Sequence, residues 1–246
     1  MPKWMTIIFA CYLSLTVLDL QAQTVEDVIA KYEAAMGGRE KLATLKSVHI
    51  EGVAVMQNGN EVTTVVNKVS GALMRTDVNF GMGSFSMLVT DKNGFSSNPR
   101  NGGKFEPMSE EIVKALQPEL DLAGPLVNYA AKGHKAELLG KETIDGKETY
   151  KIKLTLNNGN DITYYIDATS YYVVREQKKG MGRRGGGAPA APAGDNMQTI
   201  DYADYQKTPE GFIFPMSVKR GGMGGSMLVE KLEVNQPVDP KLYKAE

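Results

Sequence analysis

Two spacings of apolar residues divide the chain. Val25, Val28, Ile29, Tyr32 and Met36 recur at helical intervals, which predicts an amphipathic helix ended by the flexible pair Gly37-Gly38. Thr24 and Asp27 stand where a capping pair would start it. Residues 39–46 read as a second short helix or turn. From Ser47 the period falls to two: Val48 and Ile50 alternate with His49 and Glu51, and Val53 and Val55 follow. Strand patterns recur over 62–69, 73–80 and 85–91. Their dividers, Asn58-Gly59-Asn60, Ser70-Gly71 and Gly81-Met82-Gly83, are short enough for hairpin turns. After residues 94–99 the alternation breaks into a helical insert, opened by Ser109-Glu110-Glu111-Ile112, interrupted at Pro118 and resumed over 120–131. A second strand series then begins, in which Ile152, Leu154 and Leu156 alternate with polar neighbours. It continues through 162–167, 171–177, 197–205, 212–219 and 227–234. The expectation is a mainly β chain of about eleven strands, with helices at its start and midway.

The N-terminus has a different character. Met1-Pro2-Lys3 is positive, residues 7–18 are almost wholly apolar, and Leu20-Gln21-Ala22 ends on a small residue. That three-part layout predicts an export signal over residues 1–22, so the mature protein would work in the periplasm. Its apolar run is shorter than the roughly 20 residues a membrane helix needs, and no later segment approaches that length. The sole cysteine, Cys11, lies inside this signal and follows too short a leader to read as a lipid-attachment site, so the mature chain has no thiol chemistry. Residues 23–246 are expected to form one domain, an ordinary size for an all-β unit. Within it, residues 178–196 (KKGMGRRGGGAPAAPAGDN) read as a flexible loop. The ending Leu242-Tyr243-Lys244-Ala245-Glu246 lacks the final aromatic of an outer-membrane barrel strand.

Composition narrows the chemistry. With 28 basic and 29 acidic residues the net charge is −1, which argues against a nucleic-acid partner. No nucleophile elbow, zinc-protease helix motif, Walker lysine or calcium loop is present. The two histidines, His49 and His134, have no cysteine or carboxylate at ligand spacing, so no metal and no cofactor is implied. Methionine is more suggestive. Met82, Met181 and Met223 each sit between glycines in a hairpin connection, and thioethers suit surfaces that accept variable apolar ligands as well as simple gap filling.

Several local motifs, in order, resemble the periplasmic carriers of the outer-membrane lipoprotein-sorting family. They are Met74-Arg75-Thr76-Asp77-Val78-Asn79-Phe80, Thr90-Asp91-Lys92-Asn93-Gly94-Phe95 through Asn98-Pro99, Tyr164-Tyr165-Ile166-Asp167, Gly211-Phe212-Ile213-Phe214-Pro215 and Glu233-Val234-Asn235. The resemblance spans nearly all of residues 23–246 and rests on their order. It implies a strongly curved, incomplete antiparallel β-barrel covered by helices, with an apolar cavity for acyl chains between them. It also implies an arginine on the inner face that ties the lid shut, at Arg75. Alternation groups Arg75 with Leu73, Asp77 and Asn79, against Met74, Val78 and Phe80, so this role requires the Leu73 face to be the inner one.

The expected function is a periplasmic carrier or binding protein for a lipid or lipoprotein acyl chain, working by sequestration without chemistry. The expected ligand-binding residues are Val53, Val55, Arg75, Phe85, Met87, Val89, Ile152, Leu154, Leu156, Phe212, Phe214 and Met216 on strands, with Leu116, Leu120 and Leu126 in the insert. An outer-membrane acceptor protein is a further expected partner. The alternative is a ligand-free interaction domain of the cell envelope, which a filled interior would favour. An enzyme ranks third, because Asp91, Asp167 and Asp201 read first as turn and strand-end residues.

Overall fold

The structure, a computed structural model, describes residues 23–56, 59–180, 197–221 and 226–246. The expected export signal, Met181, Met223 and most of the glycine-rich loop lie outside these residues. Helix α1 (Val25–Ala35) opens the described chain. Thr24 Oγ1 accepts from the Asp27 amide and the Asp27 carboxylate accepts from the Thr24 amide, a complete capping box. A one-turn helix, α2 (Arg39–Ala43), follows after Gly37 and Gly38, both at positive φ.

Among the described residues thirteen strands form one antiparallel sheet. The first meander comprises β1 (Ser47–Val55), β2 (Glu61–Val69), β3 (Leu73–Asn79), β4 (Ser84–Thr90), β5 (Gly94–Ser97) and β6 (Glu106–Pro107). The second comprises β7 (Lys135–Ile144), β8 (Lys147–Thr155), β9 (Asp161–Asp167), β10 (Val173–Lys179), β11 (Met197–Lys207), β12 (Ile213–Arg220) and β13 (Ser226–Val234). They join where β1 pairs with β13, and β6 and β7 are left as unpaired edges, so the sheet is open. The excess over eleven strands includes the short pair β5–β6, where alternation over a few residues is too brief to read.

The insert departs from expectation. Ser109 caps helix α3 (Glu110–Leu116), and a 3-10 turn covers Gln117–Leu120. Residues 121–133 then run as turns rather than a resumed helix. Gly124 and Asn128 there take positive φ and Pro125 offers no amide, all unfavourable to helix.

Three apolar clusters attach helices to one face of the sheet, the inner face. Val28, Ile29 and Tyr32 of α1, with Leu126 and Val127, cover Ile152 and Leu154 of β8 and Ile162, Tyr164 and Ile166 of β9. Leu116 and Leu120 cover Met74 and Val89. Leu45 packs with Val48, Phe212 and Val234 at the seam between the meanders. Each fully buried aliphatic side chain contributes about 1.5–3 kcal/mol, enough to hold short helices that would not persist alone.

Register fixes the remaining side chains of this face. Through the pairs Gly52–Thr64, Thr64–Val78 and Val78–Phe85, the face of Met74 and Val89 continues along Ile50, Val66, Val78, Phe85 and Met87. All are half-buried: Met87 packs against the Leu116–Leu120 cluster and Ile50 against the Leu45 cluster, whereas Val66, Val78 and Phe85 join none of the three clusters among the described residues. On the opposite, outer face the C-terminal turn Pro240–Tyr243 packs across β3.

Candidate functional site

Between the insert, α1 and the inner face lies a partly open cavity of about 260 Å³. Its walls come from α1 (Tyr32), the loop after α2 (Leu45), β2 (Lys68), the insert (Pro118 to Leu126), β9 (Ile162, Tyr164), β10 (Val173, Glu176, Lys178), β11 (Tyr202, Tyr205) and residues 212–215. A register slip between Val173 and Arg175 brings this wall about. It lets Val173 and Glu176, three residues apart, both face inward, and carries Lys178 with them.

Glu119 of the insert joins the two meanders. Lys68 Nζ donates to its Oε2 at 3.2 Å and to its backbone oxygen at 3.3 Å, and Lys178 Nζ donates to its Oε1 at 2.5 Å. In sheet order β2 and β10 are five strand steps apart, which would span roughly 24 Å in a flat sheet. Two lysine side chains meet on one carboxylate because the sheet curves round the insert. The Lys68 ammonium holds the Glu119 carboxyl far below the usual carboxylate range; burial opposes this, and Lys178 adds to it. Gly71 N donates to Leu120 O at 2.9 Å, and Gln117 Nε2 donates to Thr90 O at 3.1 Å, so the insert is also pinned to the ends of β2–β3 and β4. On its other side Glu33 of α1 accepts from Asn128 N at 2.7 Å and from Arg39 Nε at 2.5 Å.

The remaining charges in the wall are paired. Glu176 Oε1 stands 2.9 Å from Lys178 Nζ, and its Oε2 accepts from the Tyr202 hydroxyl at 3.3 Å. Asp121 accepts from Lys132 Nζ at 2.5 Å. Tyr205 donates to Val173 O at 2.7 Å. Burial, and then neighbouring carboxylates, push the hydroxyls of Tyr32, Tyr164 and Tyr202 above the ordinary phenol range.

The residues expected from sequence fall into four places. Leu126, Phe212 and Phe214 line the cavity. Val89, Leu116, Leu120, Ile152, Leu154 and Leu156 lie on the inner side but are packed core, each under a tenth exposed. Phe85 and Met87 lie on the half-buried inner stretch, and alternation places half-buried Met216 beside Phe214 on the same face. Val53, Val55 and Arg75 point the other way. Val53 pairs with Leu228 and Thr63, one step out of phase with Gly52 and Ala54, and Val55 is 57% exposed on the outer face.

Arg75 is therefore no latch for the insert. Its partners are Asp77 at 3.0 Å, Lys244 O at 3.2 Å and the Phe105 ring at 5.4 Å, all on the outer face. Strand parity decides this: Met74, not Arg75, touches the insert. Tying the insert to the sheet falls to Lys68, Glu119 and Lys178, which a search for apolar alternation passes over. The signal for the two lysines was a charge on a strand face otherwise occupied by Val66, Ile162 and Ile200. Met82 is 97% exposed at the β3–β4 turn, the end of the sheet away from the docked insert.

No protein-family model matches the chain, and no curated protein matches it. Solved structures do. A LolA superfamily protein from Nitrosomonas europaea superposes with a TM-score of 0.54 at 10% identity, covering 90% of this chain and 98% of that one. A DUF1329 family protein from Desulfovibrio piger gives 0.53 at 12% identity, over 88% and 97%. A domain assigned to outer membrane lipoprotein sorting from Vibrio parahaemolyticus gives 0.51 at 10% identity, over 88% and 94%. Together with the open thirteen-strand sheet and its docked helices, they show that this chain shares the fold of LolA superfamily and outer membrane lipoprotein-sorting domain structures.

Proposed function

We infer that the protein is an exported binding protein for an amphiphile, a lipid or a lipoprotein acyl chain, held without chemistry. One observation carries the reading. Beyond the insert the inner face carries Val66, Val78 and Phe85 on neighbouring strands, half-buried and, among the described residues, outside the three clusters that the helices close. A sheet face of this kind is normally sealed by its own helices; left half-open, it offers apolar area to a ligand. The stretch continues into the cavity along single strands, from Val66 to Lys68 on β2 and from Met216 to Phe214 on β12, each step roughly 7 Å. The carrier role that the family resemblance implies agrees with this placement.

Binding would proceed by removal of the chain's methylenes from water, each contributing about 0.8 kcal/mol. That scale gives reversible capture of a single chain, as transport between membranes requires. The packed cores under α1 and α3 favour the second reading, an interaction domain without ligand. Displacement of an environment-sensitive dye by a long-chain amphiphile separates the two. Binding that is lost in Phe85→Glu, with the melting temperature kept, supports the carrier. Binding that ignores Phe85→Glu, or no binding at all, overturns it.

A further inference from the structure

The cavity contains polar groups that its own walls leave unanswered. Tyr32 and Tyr164 are 8% and 5% exposed, yet neither hydroxyl has a hydrogen-bond partner among the described residues. Glu176 Oε1, fully buried, is by contrast answered by Lys178 Nζ at 2.9 Å. Both hydroxyls keep accessible surface within otherwise buried residues that line one space, so two donors without a protein partner point to what that space receives. The formal charges are in contrast already matched: Glu119 and Glu176 with Lys68 and Lys178, and Asp121 with Lys132.

We propose that this cavity receives the polar end of the amphiphile, and that this end is uncharged and hydroxylated, such as a glycerol or sugar group. The proposal rests on the carrier reading and names the ligand class of the same site. An anionic or cationic head would bring an unmatched charge into a neutral, half-enclosed network. A hydroxylated head can exchange bonds with Tyr32 and Tyr164, which burial keeps protonated as neutral donors. At about 260 Å³ the space lies just below the usual range of pockets for whole small ligands, a size for a head group rather than several acyl chains. The inner face next to it, from Val66 toward Phe85, takes the chain.

The test is calorimetric binding of three ten-carbon amphiphiles below their micelle concentrations: monodecanoylglycerol, decanoate and decyltrimethylammonium. The expected order places the glycerol ester about tenfold or more ahead of both charged probes. Tyr32→Phe/Tyr164→Phe should weaken that ester roughly tenfold, at threefold or more per lost hydrogen bond, and leave decanoate unchanged. Because each substitution deletes a hydroxyl without a protein partner, the melting temperature should not fall. Equal or tighter binding of a charged probe, or a double variant that binds the ester normally, overturns the proposal and leaves the carrier intact. A melting temperature that drops in the variants also overturns it, since the hydroxyls then have partners in the protein. Failure of all three probes overturns the carrier reading itself.

Discussion

Replacing Glu119 with glutamine removes the insert's carboxylate that binds a lysine from each meander. Glutamine keeps the shape and one acceptor, so the change isolates charge. In the wild type, Lys68 and Lys178 lie 3.2 and 2.5 Å from its oxygens. Breaking a fully buried pair costs about 3–5 kcal/mol, and an exposed pair roughly 0–1 kcal/mol. Glu119 keeps 35% of its side-chain surface and each lysine 24%, so solvent screens the pair in part. Glu176 also remains to neutralise Lys178. The discounted expectation is about 1–3 kcal/mol. For a chain of this size that lowers the melting temperature by roughly 3–10 °C.

Hydrogen exchange localises the loss. The Gly71 amide donates to Leu120 O across the boundary between insert and sheet, and its protection reports docking of the insert. Exchange there should quicken in Glu119→Gln more than in β8, which α1 covers independently. The pH dependence has a definite sign. The folded carboxyl is held below its unfolded value, so its contribution is fully present above the ordinary carboxylate range and is lost only as pH falls through the depressed folded value. Lowering the pH from 7 to about 5 should leave the docking intact. An unchanged melting temperature together with unchanged Gly71 exchange would refute the latch.

Other expectations are as direct. Arg75→Ala should release the C-terminal turn from β3, seen as faster proteolysis near Lys244, while amphiphile binding stays within twofold, because its partners all lie on the outer face. Gly52→Ala should cost about 1–3 kcal/mol in denaturant unfolding, since an added Cβ would stand 2.8 Å from Leu228 O and 3.0 Å from Met227 Cγ at the seam of the meanders. In an NMR titration His49 should lose its proton at higher pH than His134. Burial lowers the His49 value, but bonds to Glu51 and Asn67 outweigh it and leave it raised, whereas burial and then Lys132 lower that of His134. The stability His49 contributes is thus present below its unfolded value of about 6.5 and disappears as pH rises through the folded one.

Alternation made the meanders legible because the inner face of the strands is mostly apolar, much of it packed against helices, while the outer face meets water or the C-terminal turn. The same signal located core rather than cavity. Ile152 and Leu154 read as ideal wall residues, and α1 fills the space above them. The site itself depends on departures from alternation: the slip in β10 that turns Glu176 inward, and the lysine at 68 that ends an apolar face. Such departures look like noise in a single sequence, because a bulge shifts parity without leaving a composition of its own. The insert departs from its apolar pattern for a related reason. Residues 120–131 have helical hydrophobicity, but Gly124, Pro125 and Asn128 impose turns. Parity, however, was decisive where it conflicted with the family correspondence, since it grouped Arg75 with Leu73 and Asp77 on what proves to be the outer face.

The most direct measurement of the central claim is native mass spectrometry on protein expressed with residues 1–22 and recovered without detergent, followed by organic extraction. The account predicts a discrete adduct of lipid mass, removed by extraction, restored by adding the extract back, and reduced in Phe85→Glu. A bare polypeptide mass that neither extract nor added amphiphile shifts would contradict it.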